Sequence, residues 1–168
     1  MESAMAFTVS SSSFKDGDYL GKDFLLSADY GFGCAGGNRS PHLSWSGAPV
    51  GTKSFAVHCH DPDAPTGSGF WHWVVVNIPP NVTELPAGAG NAGGKLPAGA
   101  LQTRTDFGVP GYGGPCPPEG DHPHRYLFSV FAVSEMLDVK ADTSAAVIGF
   151  QLHFKALAKA SIMALFKR

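Results

Sequence analysis

The chain has 168 residues, 43% of them hydrophobic and 15% charged, with a formal net charge of −2 and a pI of about 6.4. That length suits one domain with a real core, and the charge gives no basic field to draw in nucleic acid or an anionic membrane. No apolar run reaches the roughly 18 residues of a bilayer span, so neither nucleic-acid binding nor a membrane span is expected.

Met1 to Phe7 lacks a basic stretch followed by an apolar core, so no signal peptide is expected. These residues read as disordered or as an addition ahead of a natural start at Met5, with a single domain over residues 8–168. Residues 8–33 alternate weakly between turn signals and read as one or two short edge strands. Pro41-His42-Leu43-Ser44-Trp45 then leads toward three clear strands, Ser54 to His60, His72 to Ile78 and Tyr126 to Val133. They are rich in β-branched and aromatic residues and bounded by turn residues. Val74-Val75-Val76 is continuously apolar, so that strand is expected to be covered on both faces.

Between Pro79 and Gly111 the chain is rich in Gly, Ala and Pro. It reads as an irregular excursion with one short strand around Leu101 to Thr105, and is a candidate homodimer surface. Asp142 or Thr143 is placed to cap a short helix beginning at Ser144. Leu152, Ala156, Leu157, Ala160, Met163 and Ala164 fall on one helical stripe, which predicts an amphipathic helix from about Phe150 to Phe166. Lys167 and Arg168 suit the C-terminal end of its dipole.

Cys34, Cys59 and Cys116 are odd in number and have no C-x-x-C spacing. This argues against a disulfide framework or a zinc ribbon and for a reducing, cytoplasmic setting. No metal is expected either, since zinc needs three or four convergent ligands and His58, Cys59 and His60 do not converge. No cofactor motif is present.

Two stretches concentrate the polar chemistry. In Asp61-Pro62-Asp63-Ala64-Pro65 the prolines end the strand, and each Asp can bond nearby backbone N–H groups. The turn is either purely structural or a device that aims one Asp into a pocket. The second stretch runs from Tyr112-Gly113-Gly114-Pro115-Cys116-Pro117-Pro118 to His124-Arg125-Tyr126. Its glycines are expected to let backbone approach a guest, and its prolines to stiffen the wall. His124 and Tyr126 share a strand face, while Arg125 points away toward a carboxylate such as Asp121 or Glu119. His72, His124, Tyr112, Tyr126 and an Asp together make a donor-rich site for an anion. No Gly-x-Ser-x-Gly elbow exists, and Cys116 lies between prolines without an activating partner.

These segments resemble the phosphatidylethanolamine-binding protein (PEBP) or Raf kinase inhibitor protein family, its bacterial branch in particular. The resemblance rests on Asp61 to Pro65, on His72-Trp73-Val74-Val75-Val76-Asn77-Ile78-Pro79, and on Gly113 to Pro118 with His124-Arg125-Tyr126. Ser40 to Trp45, Gln102 to Gly108 and Gly149 to Phe154 support it. It implies a mainly β fold, a large antiparallel sheet packed with a smaller sheet plus C-terminal helices. It also implies a small surface pocket for phosphate or a phosphatidylethanolamine head group, lined by Asp61, His72, His124 and Tyr126. Tyr112, Gly114 and Pro117 fall on its loop, and a cis peptide near the Asp-Pro turn would suit the family.

The function expected is therefore non-catalytic binding of a phosphorylated small molecule, a lipid head group or a phosphorylated protein, with a kinase-inhibitor-like regulator as one form. The alternative is an acid–base hydrolase using Asp61, His72 and His124. Turnover separates the two.

Overall fold

The computed structural model describes residues 6–168; the expected natural start at Met5 lies outside them. Among the described residues, besides two single-turn 3-10 helices at Lys22–Phe24 and Ala28–Tyr30, eight strands and one α-helix follow in chain order: β1 (Thr8–Ser10), β2 (Leu43–Ser46), β3 (Ser54–Asp61), β4 (Phe70–Ile78), β5 (Glu84–Leu85), β6 (Leu101–Gln102), β7 (His124–Val133), α1 (Ala145–Lys155) and β8 (Ala156–Phe166). Two antiparallel sheets result. The smaller has order β1-β2-β5 and the larger has order β6-β4-β3-β7-β8. The mainly β, two-sheet architecture is as expected.

Alternation along each strand sorts the side chains into two cores. Phe55, Val57 and Cys59 of β3 join Trp73, Val75, Tyr126, Phe128 and Val130 on the inner face, against Leu43, Trp45 and Leu85 of the small sheet. Phe7 extends that layer by stacking on Phe55, with ring centroids 6.2 Å apart. On the other face Ala56, Val74, Val76, Phe131 and Val133 pack against Ile148 and Leu152 of α1. Val74, Val75 and Val76 are at most 1% exposed, so the strand is covered on both faces as its unbroken apolar run predicts.

The C-terminal segment departs from the long helix expected of it. The helix begins one residue after its cap, with Ser144 Oγ accepting from Val147 N, and it ends at Lys155. Residues 156–166 then run as a strand paired along β7, from Ala156 opposite Val133 to Phe166 opposite His124. The stripe of alanines also reads at period two. Ala158, Ile162, Ala164 and Phe166 face the inner core, whereas Lys159 and Met163 do not. Alanine favours a helix locally, but a ladder with the long central strand outweighs that preference.

The Gly/Ala/Pro excursion folds back on its own chain. Gly88 N donates to Ser40 O at 2.8 Å, and Tyr112 N donates to Gly90 O at 2.9 Å. A Cβ on Gly90 would stand 2.7 Å from the Trp73 indole nitrogen, so only glycine allows that approach.

At the end of β4, Asn77 adopts φ +59° and clamps the segment before α1. Its Nδ2 donates to Leu137 O at 2.9 Å, and its Oδ1 accepts from Leu137 N at 2.7 Å. Asn77→Ala should cost about 2–3 kcal/mol, from two lost hydrogen bonds plus a left-handed backbone that alanine tolerates poorly. Urea unfolding of the variant checks this, and a loss below about 0.5 kcal/mol would contradict it.

Candidate ligand-binding site

The larger sheet ends in a pocket of about 300 Å³ where β3 stops and β7 starts. Asp61 is the last residue of β3, and Pro62 forbids the ladder from continuing. Both readings of the Asp-Pro turn hold at once. Oδ1 of Asp61 accepts from Asp63 N at 2.8 Å and from Ala64 N at 3.1 Å, which closes the turn. Its Oδ2 lies 2.7 Å from His124 Nδ1 and so reaches across to β7. Every peptide bond among the described residues is trans, the Asp61-Pro62 bond included, in contrast to the cis bond the resemblance implied.

Asp63, two residues on, locks the turn to β7. Its carboxylate accepts from Arg125 Nε and Nη2, both at 2.9 Å, and from Arg125 N at 2.8 Å. This forked contact lowers the Asp63 pKa to about 2. Arg125 therefore pairs with Asp63 rather than with Asp121 or Glu119.

His124 is buried with both ring nitrogens against carboxylates, Nδ1 on Asp61 and Nε2 on Asp121 at 2.9 Å. Ionised carboxylates only accept, so facing two of them both nitrogens donate and the ring is held as an imidazolium. Burial pulls its pKa down, but the two carboxylates outweigh burial and hold it above the ordinary imidazole value. Tyr126 lies two residues along the same face, with its ring edge-on to His72 at 5.3 Å. Burial, then the nearby Asp61 charge, pushes its phenol well above the usual range, so the hydroxyl stays a donor.

His72 behaves differently from expectation. Its Nδ1 lies 2.7 Å from Gly113 O, and a carbonyl requires that nitrogen to carry the proton. Burial lowers its pKa to about 4, although the Gly113 carbonyl pulls upward. At neutral pH the ring is uncharged, and its Nε2 offers a lone pair, not a donated hydrogen.

The rest of the wall is apolar. Leu26, Phe32, Phe70, Phe107, Pro65 and Pro117 line it, with Phe70 edge-on to Phe107 at 4.8 Å. Gly114 lines it too, but its N–H donates to Asn38 Oδ1 at 2.8 Å and is not offered to a guest. A Cβ there would collide with Phe24 O, and one on Gly113 would collide with the Phe107 ring. Both glycines serve close packing of loop on loop. Tyr112 lies outside the pocket: its hydroxyl donates to Phe24 O at 2.7 Å, and it lines a neighbouring polar groove with Asn38 and Gln102.

Cys116 also lines the pocket, and it is bonded to Cys34, 82 residues away in sequence. This overturns the expectation of unpaired cysteines; only Cys59 is free, and it is buried. The distance in sequence explains why spacing gave no sign of the bond. Among the described residues, no group of three or more His, Cys, Asp or Glu is arranged to hold a metal ion. No described helix is long and apolar enough to cross a membrane.

Two antiparallel sheets that end in an Asp/His/Tyr pocket have clear relatives. The sequence model of the phosphatidylethanolamine-binding protein family matches residues 10–167. The chain belongs to that family. Within it, UPF0098 protein YbcL of Escherichia coli is 52% identical over 166 residues, covering 98% of this chain and 89% of YbcL. UPF0098 protein YbhB of the same organism is also 52% identical, over 93% of this chain and 97% of YbhB. The crystal structure of YbcL, described as a new member of the mammalian PEBP family, superposes with a TM-score of 0.93 at 51% identity, covering 98% of this chain and 99% of that one. Residues 10–167 include every residue that lines the pocket described above. The Asp121 contact, the three phenylalanines and Asn38 were not singled out by sequence reasoning. Of these only Asp121, three residues before His124, had a local signal.

Proposed function

We propose that this PEBP-family protein binds a phosphate-type anion in the pocket without turning it over. One observation carries the reading: Tyr126, whose hydroxyl keeps its proton, and His72, whose Nε2 keeps a lone pair, line one pocket together with the His124 ring. A hydrogen-phosphate group presents both an accepting P–O⁻ and a donating P–OH, and so complements both. The apolar rim of Phe32, Phe70, Phe107 and Pro117 would lie against whatever the phosphate esterifies. The guest classes that fit are inorganic phosphate, a phosphoethanolamine-type head group and a phosphorylated side chain of a partner protein, the last giving a kinase-inhibitor-like regulator.

The hydrolase alternative finds less support. Both His124 nitrogens already donate to carboxylates, so that ring has no lone pair to act as a base, and of the three residues of the acid–base reading only His72 keeps an imidazole lone pair. Cys116 is tied in a disulfide and is no nucleophile. That bond also weighs against the cytoplasmic setting read from the sequence, because structural disulfides persist chiefly in oxidising compartments.

Titration of the histidine ring signals by NMR, with inorganic phosphate and then O-phosphoethanolamine, tests the reading. His72 and His124 should shift saturably and the two ligands should compete. Tyr126→Phe removes one oxygen and leaves the ring in the wall, and should weaken phosphate at least about fivefold. Normal phosphate binding by both Tyr126→Phe and His72→Ala would refute the assignment. His124→Ala is the poorer test, since it strips two carboxylates of their shared cation.

A further inference from the structure

Two carboxylates share one imidazolium at His124, and they are held very differently. Asp61 is 2% exposed and fixed by two backbone N–H groups besides the ring. The Asp121 side chain is 38% exposed, and among the described residues its carboxylate has no hydrogen-bond partner except His124 Nε2. It rides on a turn between Pro118 and Pro123 in which Gly120 takes φ +87°. The turn's backbone ties are long, Asp121 N to Pro118 O at 3.3 Å and Gly120 N to Arg168 O at 3.4 Å, beside a side-chain contact of His122 Nδ1 with Pro123 O at 2.9 Å. Rotation about the Asp121 side chain would free Nε2–H without moving β7.

The surrounding charges leave Asp121 as the unbalanced one. Asp63 is neutralised by Arg125, and Glu119 faces Arg168 Nη1 at 3.7 Å. His122 packs against the His124 ring at 5.6 Å. Asp61 and Asp121 therefore set two negative charges against the single positive charge of His124, and of these three residues Asp61 and His124 line the pocket assigned to an anion. We propose that Asp121 is an internal competitor for that anion, a carboxylate latch on His124 Nε2 that an incoming phosphate must displace or bind against. The proposal rests on the anion reading of the pocket. It makes Asp121 a specificity-determining residue that keeps affinity for free phosphate low and favours guests able to contribute further contacts at the apolar rim.

Phosphate titrations of the full chain and two variants test this. Asp121→Ala removes both charge and acceptor, and should bind inorganic phosphate about fivefold tighter, the size of one partly exposed ionic contact. Asp121→Asn keeps an acceptor for Nε2–H without the charge, and should bind at least about threefold tighter. The Asn variant is nearly isosteric and carries the test if the Ala variant folds poorly. Unchanged or weaker binding in Asp121→Asn, with wild type binding normally, overturns the latch and makes Asp121 a residue that orients His124; the anion reading then survives. If neither wild type nor Asp121→Asn binds at millimolar phosphate, both the latch and the anion reading fail. Tighter binding by both variants, weakened at least about fivefold when Tyr126→Phe is added, supports both.

Discussion

The free energy of unfolding should fall by about 2–3 kcal/mol per pH unit as the pH drops from about 6 to about 4, the region set by two buried neutral histidines. His72 titrates at about 4 in the folded chain and His58 at about 3, in both cases mainly because burial disfavours the charged ring. The His58 ring is edge-on to Trp71 at 4.8 Å and tilted against Phe131 at 4.9 Å, and among the described residues its Nδ1 has no hydrogen-bond partner. Below the ordinary imidazole pKa the unfolded chain takes up these two protons and the folded chain does not. Acid therefore favours unfolding, by about 1.4 kcal/mol per pH unit for each ring. His124 acts oppositely. Its pKa is raised on folding, so its contribution is complete below the unfolded value and is lost as pH rises through the folded one. Stability should peak near neutrality. Urea unfolding at a series of pH values measures the slope, and His58→Leu should roughly halve it while removing a buried, unpaired nitrogen. A flat profile between pH 6 and pH 4 would show that neither ring is held neutral.

Removing the Cys34–Cys116 bond should have the larger effect on stability at neutral pH. The bond closes a loop of 82 residues, for which chain entropy gives a loss of about 4 kcal/mol in the Cys34→Ser/Cys116→Ser variant. The same segments are joined by Leu26 N to Pro115 O at 3.0 Å, Gly114 N to Asn38 Oδ1 at 2.8 Å and Asn38 Nδ2 to Tyr112 O at 3.2 Å. Those contacts should keep the pocket wall in place, so that phosphate affinity falls only a few-fold even as the unfolding midpoint drops. Matched denaturation and phosphate titrations, with and without reductant, separate the two readouts. Unchanged stability on reduction would mean that the hydrogen bonds alone define the wall.

Much of the site was legible in the amino-acid sequence, because it sits where strong local signals meet. Asp61 follows a β-branched strand and precedes a proline, and His124 and Tyr126 open another strand at a spacing of two. Such residues are placed by the strands that carry them. The tenants of the loops were harder to place. Tyr112 has the same phenol as Tyr126, yet it turns away to Phe24 O, and its loop position carries no periodicity to say so. The protonation of His72 depended on which atom faced Nδ1, and that atom belongs to a glycine 41 residues away.

The amino-acid sequence by itself determined the three central strands, the two-sided burial of Val74 to Val76, the rigid Asp-Pro turn and the family. Each depends on neighbours within about ten residues or on ordered motifs along the chain. Only the tertiary structure decided that residues 156–166 run as a strand, that Cys34 meets Cys116, and that Asp121 shares His124 with Asp61. Those outcomes are settled by partners far away in sequence or by the facing of a side chain in a loop. For the alanine-rich segment the deciding contact was the open edge of β7, where a continuous antiparallel ladder outweighs the modest helical preference of its residues.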